Sequence, residues 1–305
     1  MEILGKTNID FIGKRYIAYA VSTVLILLGI VALIQISRGA ANMGIDFAGG
    51  TSTQVRFAQP VDLGAVREAL SKNGIKDSEP QQFADGRSVL IRLKRTTGEV
   101  AGTAELVQAA LRKELANNPL TVEATTEVGP AIGKELQQKA LLAIAVSLAG
   151  IIVYIAWRFE FRFGVAATIA TFHDVLAVLG IVFILNKEMT LLIVTALLTI
   201  GGYSLTDTVV VYDRIRENLR ARRKEQLGDI MNASINQVLS RTAMTSLTTL
   251  LSALALFFLG GQVLHDFAFA LLIGILVGTY SSWFVASPII YEWRVRAEAA
   301  RRGRR

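Results

Sequence analysis

Six long apolar runs constrain what this chain can fold into more than any other feature of its sequence. Each run is long enough for a helix that crosses the hydrocarbon core of a bilayer, which takes about 17 to 25 residues. The hydrophobic share of 52% also exceeds that of ordinary soluble domains. We therefore expect a membrane α-helical bundle of six transmembrane helices. The runs are Tyr16–Ile36, Leu136–Trp157, Phe163–Leu185, Leu191–Val211, Met244–Gly260 and Phe267–Ser287.

Residue types that are rare in the chain exclude several kinds of chemistry. There is no cysteine, which excludes disulfides, thiolate metal sites and thiol catalysis. The only two histidines, His173 and His265, argue against a histidine-rich metal site. No nucleophile, base and orienting group converge in the sequence. We therefore expect no enzyme activity, no cofactor and no metal.

Lysine and arginine indicate how the chain is oriented. They crowd the second-to-third connection, the fourth-to-fifth connection and the tail, whereas the other two short connections contain only Lys187. Since cytoplasmic loops carry the excess of positive charge, both termini are expected in the cytoplasm. Orientation also accounts for the net charge of +7, so no nucleic-acid partner is expected. The expected divisions are a cytoplasmic N-terminus (1–15), a first membrane helix (16–36), an external domain (37–135), five further membrane helices (136–288) with a basic cytoplasmic loop (212–241), and a basic cytoplasmic tail (289–305).

The external segment predicts a small α+β domain of the ferredoxin-like βαββαβ type. Alternating strand patterns and amphipathic helix patterns follow each other in the order β-α-β-β-α-β, and an Asp85-Gly86 hairpin signal joins the second and third strands. Its acidic residues are scattered, as on a solvated surface. The predicted elements are a strand at 51–57, a helix at Asp62–Asn73, strands around Pro80–Ala84 and Ser88–Leu93, a helix at Thr103–Ala116 and a strand at Leu120–Val128.

A glycine-rich turn, Gly44-Ile-Asp-Phe-Ala-Gly-Gly50, opens this domain. Such a turn can cradle a phosphate when a helix N-terminus follows it. Here a strand follows, which favours a tight junction between the first membrane helix and the domain, with glycine supplying positive φ. This interpretation leaves Asp46 unexplained.

Asp207 lies inside the fourth apolar run, about one turn from its cytoplasmic end. A carboxylate within a transmembrane helix costs a few kcal/mol, so it is a candidate functional residue that needs a partner. Arg241 begins the fifth run from the same side and can lie at a similar depth. Arginine stays protonated, so the state of the pair depends on whether the carboxylate binds a proton or the arginine. Driven by a gradient, that exchange can bias a helix arrangement.

Other polar residues in the apolar runs leave two interpretations open. His173 and Asp174 are neighbours midway along the third run, either as a hydrogen-bonded packing pair or as a proton relay. A hydroxyl stripe on the fifth run can line a wet path or bond to neighbouring helices. Gly274 and Gly278 predict a close helix contact in the sixth run. The stripe comprises Thr242, Thr245, Ser246, Thr249 and Ser252.

Four motifs, with their spacing, resemble the SecF family of bacterial protein-export membrane proteins, which belongs to the resistance–nodulation–division superfamily. The resemblance spans essentially the whole chain. The motifs are Gly44–Gly50, which contains Asp46, Phe47, Gly49 and Gly50; Phe172–Asp174; Ser204–Asn218, which contains Asp207, Asp213, Arg214, Arg216 and Glu217; and Ser240–Thr242. The third is the most specific.

The resemblance implies a role in the bacterial cytoplasmic (inner) membrane. SecF pairs with SecD, and the complex uses the proton-motive force to help draw preproteins from the SecYEG channel, possibly with YajC. Asp207 matches the family's proton-carrying aspartate and Arg241 its essential arginine. SecD supplies a further membrane aspartate, and the lipid bilayer surrounds both subunits.

Two other functions remain open at this stage. A small-solute proton-coupled efflux transporter of the same superfamily predicts a larger external region with an entry pocket and more helices in one chain. A non-catalytic assembly scaffold predicts that the polar pairs only hold helices together.

Overall fold

The computed structural model describes residues 7–76, 78–83, 85–94, 102–222 and 224–302. Within these ranges six helices are long and apolar enough to cross a membrane, and a small domain with a four-stranded antiparallel sheet lies between the first two. The predicted fold class is therefore confirmed. The predicted strand end at Ala84, the first residues of the predicted N-terminal segment and the last residues of the tail lie outside the described ranges.

Apart from the one-turn helix at Ile45–Ala48 and the helical segment between 212 and 241, the elements follow one another in the predicted order. The last membrane helix, α9, continues through a π-helical turn at Ser282–Ala286 directly into α10. In chain order the elements are α1 (Arg15–Ser37), α2 (Ile45–Ala48), β1 (Gly50–Phe57), α3 (Leu63–Lys72), β2 (Ser78–Gln82), β3 (Ser88–Lys94), α4 (Thr103–Glu114), β4 (Leu120–Val128), α5 (Pro130–Arg158), α6 (Phe161–Ile184), α7 (Leu191–Ala221), α8 (Leu227–Leu259), α9 (Gly261–Ser281) and α10 (Ser287–Arg302).

The segment 212–241, predicted as a basic loop, is mostly helical. α7 continues to Ala221 and α8 begins at Leu227, so a short connection remains between them. The reason is an apolar stripe that continues beyond the membrane run. Tyr212 and Met231 on this stripe are fully buried, so the charged residues occupy only the outer faces of the two helices.

The small domain has the ferredoxin-like sheet order β2-β3-β1-β4. The central strand β1 pairs antiparallel with both β3 and β4. Apolar side chains from the sheet and from α3 and α4 form one buried cluster, which includes Val55, Phe57, Leu70, Ile91 and Leu111. This cluster gives the domain its own core, separate from the membrane helices.

Two glycines that the sequence did not single out bring α1 and α6 into close contact. A Cβ atom on Gly29 would lie 2.3 Å from the Leu176 carbonyl oxygen, and one on Gly180 would lie 2.6 Å from the Gly29 nitrogen. Neither space admits a larger residue without moving backbone. Small residues of this kind allow membrane helices to approach closely where there is no hydrophobic force between them.

Candidate functional site

Asp207 lies in the middle of α7 and is only 4% exposed. Its two carboxylate oxygens face α8, from which two hydroxyl groups approach. Ser246 Oγ donates to Oδ2 at 3.1 Å, and Thr245 Oγ1 lies 3.3 Å from Oδ1. Both groups are neutral. The carboxyl group therefore has hydrogen-bond partners but no charged partner among the described residues.

The two oxygens of Asp207 are not held equally. The Thr245 hydroxyl has one hydrogen to donate, and its contact with the Thr242 carbonyl oxygen, at 2.9 Å, is shorter than its contact with Asp207. Ser246 is better placed, because its oxygen also accepts a hydrogen bond from Thr279 on α9 at 2.7 Å. Oδ1 is therefore the oxygen that is more readily available to another partner.

The predicted ion pair between Asp207 and Arg241 is not formed in this structure. Arg241 is exposed, and the described residues include no acidic side chain within ion-pair distance of it. It lies four residues before Thr245 on the same face of α8, which is about 6 Å along the helix axis. Arg241 therefore lies one helical turn from a residue that contacts Asp207. The hydroxyl groups of Thr245 and Ser246 occupy the position beside the carboxylate that the prediction gave to the guanidinium group.

Asp174 forms a second polar centre, and its exposure is 0%. His173 Nδ1 lies 2.8 Å from Asp174 Oδ1. The other oxygen accepts hydrogen bonds from Ser204 on α7 and from Ser281 on α9, the latter at 2.7 Å. Three helices therefore meet at this one carboxyl group. Buried polar groups are retained where such partners are present.

The two polar centres are connected through α7 and α9. Ser204, which binds Asp174, precedes Asp207 by about one helical turn on the same face. Gly278 allows this contact, since its Cβ would lie 3.1 Å from the Ser204 Cβ. One turn away, a Cβ on Gly274 would lie 2.3 Å from Ile200. Both glycines of the predicted packing motif therefore face α7 beside the polar residues.

One polar atom of this region has no hydrogen-bond partner among the described residues. His173 Nε2 is buried, and the ring of Tyr280 lies 6.4 Å away between centroids. An unpaired buried nitrogen of this kind costs free energy unless a water molecule bonds to it. The packing and relay interpretations of His173 and Asp174 therefore both stay open.

A cavity of about 190 Å³ lies on the domain side of Asp207, between α7, α8 and α9. Tyr203, Thr249 and Ser252 line it, and within the described part of the chain the Tyr203 hydroxyl has no hydrogen-bond partner. Thr249 and Ser252 donate to carbonyl oxygens of their own helix. The hydroxyl stripe therefore divides into one part that binds neighbouring helices and one part that faces a cavity.

The glycine-rich turn contains the one-turn helix α2, which the sequence did not predict. Asp46 Oδ2 accepts a hydrogen bond of 2.9 Å from the Leu191 backbone nitrogen and so adds a second cap to the start of α7, beside its N-cap residue Thr190. Phe47 packs between α5 and α7. Gly49 adopts a φ of +78°, and a Cβ on Gly50 would lie 2.2 Å from the Leu93 carbonyl oxygen. The turn thus joins the domain to the helix that carries Asp207.

Glu188, which the sequence did not single out, makes a second link between the domain and α7. It lies in the connection between α6 and α7 and is 7% exposed. Arg92 and Lys94 of β3 approach its two oxygens at 3.2 and 3.3 Å. Burial raises the pKa of Glu188, and the two cations oppose that rise. No local signal marks Glu188, because its partners are distant in sequence.

The charged residues of the third motif lie at the opposite end of α7. Asp213 binds Arg158 at 2.7 Å, and Glu217 binds Arg214 at 2.6 Å. Arg216 lies 3.8 Å from Glu160. The Asp213 and Arg216 pairs tie α7 to the end of α5 and to the short connection before α6, whereas the Arg214–Glu217 pair lies within α7. They are partly exposed, so each contributes modestly to stability.

Known proteins resemble this chain over nearly its whole length. Residues 107–296 match the family described as "Protein export membrane protein SecD/SecF, C-terminal", and residues 41–61 match "SecD/SecF GG Motif". The Protein translocase subunit SecF of Thermodesulfovibrio yellowstonii is 56% identical over 95% of this chain and 96% of that protein. The subunit of the same name from Calditerrivibrio nitroreducens is 42% identical over 95% of each chain.

Solved structures show the same similarity in three dimensions. The crystal structure of SecDF, a translocon-associated membrane protein from Thermus thermophilus, has a TM-score of 0.79 at 40% identity and covers 94% of this chain. A crystal structure of SecDF in a super-membrane-facing form has a TM-score of 0.73 at 40% identity and covers 99% of this chain. This chain spans 39% and 41% of those two longer chains.

Proposed function

Because this chain belongs to the SecF family of protein translocase subunits, we propose that it couples proton movement across the membrane to protein export, with Asp207 as the proton carrier. The observation that supports this most is the environment of that carboxyl group. It is buried at membrane depth, and only neutral hydroxyl groups approach it. A buried carboxylate without a cation is costly, and binding a proton removes the charge.

Arg241 supplies the alternative partner in this proposal. It lies one turn from Thr245, whose hydrogen bond to Asp207 Oδ1 is the weaker of the two. In the proposed cycle Asp207 gives up its proton, and the arginine replaces Thr245 at Oδ1. Proton uptake then releases the arginine. In this proposal, the released arrangement is the one in which hydroxyl groups approach both oxygens.

We further propose that SecD completes the site. Thr245, which contacts the buried Asp207, and Arg241, one turn before it on α8, are both exposed, so the site is open on the α8 side. The similar SecDF chains are more than twice as long as this one, which supports a partner of comparable size. SecD would cover that opening and contribute a second membrane aspartate. The SecYEG channel, YajC and preproteins are the further proposed partners.

The location follows from the same proposal. We place the chain in the bacterial inner membrane with both termini in the cytoplasm. The α+β domain then lies outside, where an emerging preprotein would meet it. Asp207 lies 16 residues after the start of α7, about 24 Å from the domain side of the membrane. A proton from outside therefore has most of the membrane to cross before it reaches Asp207.

The first test replaces Asp207 with Asn in cells whose own copy of the gene has been removed. Asn cannot exchange a proton, so we expect the variant to lose proton-dependent preprotein export. This is the part of export that a protonophore abolishes in cells with the unchanged protein. Pulse-chase labelling of a secreted protein, with and without protonophore and at matched subunit levels, measures this. Arg241→Gln is expected to have the same effect.

Thr206→Val is the matched control, because Thr206 neighbours Asp207 but donates only to the Tyr203 carbonyl oxygen of its own helix. Its export is expected to remain normal. If Asp207→Asn and Arg241→Gln also export normally, the proton-coupling proposal is wrong and the scaffold function is favoured. Normal export together with lost proton-dependent efflux of a small solute would instead favour the efflux function.

A further inference from the structure

A crevice of about 580 Å³ separates α5 from the rest of the membrane helices. Its walls come from α5 and from the facing residues of α1, α6 and α7. They are almost entirely apolar and include Leu33, Ile144, Leu148, Phe172, Val175 and Leu198. No part of the proposed export mechanism uses this space.

The crevice exists because α5 is held only near its two ends. Near its start Gly133 is pressed against Phe47, with a Cβ position only 2.9 Å from the Phe47 carbonyl oxygen. Near its end Ile155 is buried in a cluster with Phe163. Between these two contacts Ala140 is the only buried residue among the residues of α5. The middle of the helix therefore stands away from its neighbours.

An unfilled gap of this kind is unfavourable in a bilayer. Atoms that line a void lose the dispersion contacts that a neighbour would provide. Water gains nothing by entering, because it needs polar partners and the walls offer almost none. A second transmembrane helix is about 10 Å across and cannot enter while α5 keeps both end contacts. A flexible acyl chain fits the space.

Two cations lie at the domain-side end of the crevice. Lys134 is on the same face of α5 as Gln137 and Leu141, which line the crevice. Arg38 directly follows Ser37, another lining residue. Both cations are exposed, and neither has an ion pair or side-chain hydrogen bond within the described ranges.

We propose that this crevice binds one phospholipid, with an acyl chain between α5 and α6 and the phosphate between Arg38 and Lys134. Cations at the end of a membrane helix attract anionic headgroups. The apolar walls lie within the membrane, where the acyl chain of a lipid would be. Arg38 and Lys134 lie at the domain-side end, where the phosphate of the same lipid would be. The bound lipid would fix the distance between α5 and α6 beside the glycine-rich turn. The inference is independent of proton transfer at Asp207.

The test is native mass spectrometry of the full chain purified in detergent, with phosphatidylglycerol added. We expect one lipid to be retained at detergent concentrations that remove the others. The double variant Arg38→Ala/Lys134→Ala is expected to lower the lipid-bound fraction several-fold. Lys139→Ala is the matched control, because Lys139 lies one turn away and is already paired with Glu135 at 2.7 Å.

A second pair of variants tests the acyl chain separately. Ser147→Trp fills the crevice from α5, whereas Val146→Trp points to the surrounding bilayer from the neighbouring, 62% exposed position. We expect only Ser147→Trp to lose the lipid, with thermal unfolding used to verify that both variants fold. Equal lipid retention by all the variants would overturn the proposal. So would loss of SecD binding by Ser147→Trp with unchanged lipid retention, because the occupant would then be a protein.

Discussion

Single residues decide which of the two buried carboxyl groups can exchange partners. Asp174 is held by donors from three helices, whereas Asp207 is held by two hydroxyl groups from α8 alone. One of those two, Thr245, has a better acceptor in its own helix. Asp174 is therefore fixed in place, and Asp207 can change partner with little rearrangement.

We expect Asp174→Asn to fold and to keep proton-dependent export, because Asn retains an oxygen that can accept from Ser204 and Ser281. Asp174→Ala removes the partner of the Ser204 hydroxyl and of His173 Nδ1, whereas Ser281 keeps the Gly278 carbonyl oxygen as an acceptor. Each buried group that is left unpaired costs about 1 to 3 kcal/mol. Thermal unfolding in detergent and the export assay measure the two effects. A folded Asp174→Asn protein that has lost proton-dependent export would show instead that Asp174 takes part in a relay.

At the scale of whole elements, α7 connects the parts of the molecule that matter for the proposed function. Asp46, in the turn that opens the domain, accepts a hydrogen bond from the first residue of α7. Glu188, just before α7, forms an ion pair with Arg92 of the domain. The middle of α7 carries Asp207, and α9 packs closely against it through Gly274. A displacement of the domain would therefore act on the helix that carries the carboxyl group.

The contact between α7 and α9 gives a second prediction. Gly274→Ala places a methyl group 2.3 Å from Ile200, a branched side chain that cannot move aside freely. We expect it to lower the free energy of unfolding by about 1 to 3 kcal/mol, the usual cost of overpacking. Thermal unfolding of the full chain in detergent measures this.

Gly202→Ala is the control for Gly274→Ala. Gly202 lies in the interior of α7 with no atom within 4 Å of its Cβ position, so alanine meets no obstacle there. Since alanine favours helix by about 1 kcal/mol over glycine, its stability should be unchanged or slightly higher. Equal destabilisation by both substitutions would contradict the packing role of Gly274.

The cap on the start of α7 gives a third prediction. Asp46→Ala removes the acceptor for the Leu191 backbone nitrogen and should cost about 0.5 to 2 kcal/mol. The loss should be local, with faster amide hydrogen exchange in the first turn of α7 and unchanged exchange in α3. Asp62→Ala, which removes the cap of α3 at Ala65, is expected to give the reverse pattern. A uniform increase in exchange for both variants would argue against local capping.

The orientation of the whole molecule gives a further prediction. Because the chain has no cysteine, single cysteines report on sidedness without background. Lys72→Cys lies on the exposed surface of the domain, and Gln226→Cys lies in the connection between α7 and α8. In intact cells with a permeable outer envelope we expect a membrane-impermeant maleimide to label only Lys72→Cys. Labelling of Gln226→Cys alone would reverse the proposed orientation.

Local patterns in the sequence were enough to predict the membrane helices, the elements of the small domain and the main candidate residue. Apolar length predicts each membrane helix, and the order of strand and helix patterns predicts the ferredoxin-like domain, because both depend on residues that are close along the chain. A lone carboxylate in an apolar run marks Asp207 for the same reason. The close relatives confirm the resemblance that the motifs indicated.

Which groups meet became known only from the way the helices pack. Asp207 faces Ser246 on α8 and not Arg241, Asp174 gathers hydroxyl groups from two other helices, and Asp46 caps a helix that begins 145 residues later. Each of these contacts depends on which helices are neighbours and at what depth they cross. That is fixed by packing between distant segments, such as the glycine contacts of α1 with α6 and of α9 with α7. Patterns among residues that are close along the chain do not indicate which helices become neighbours.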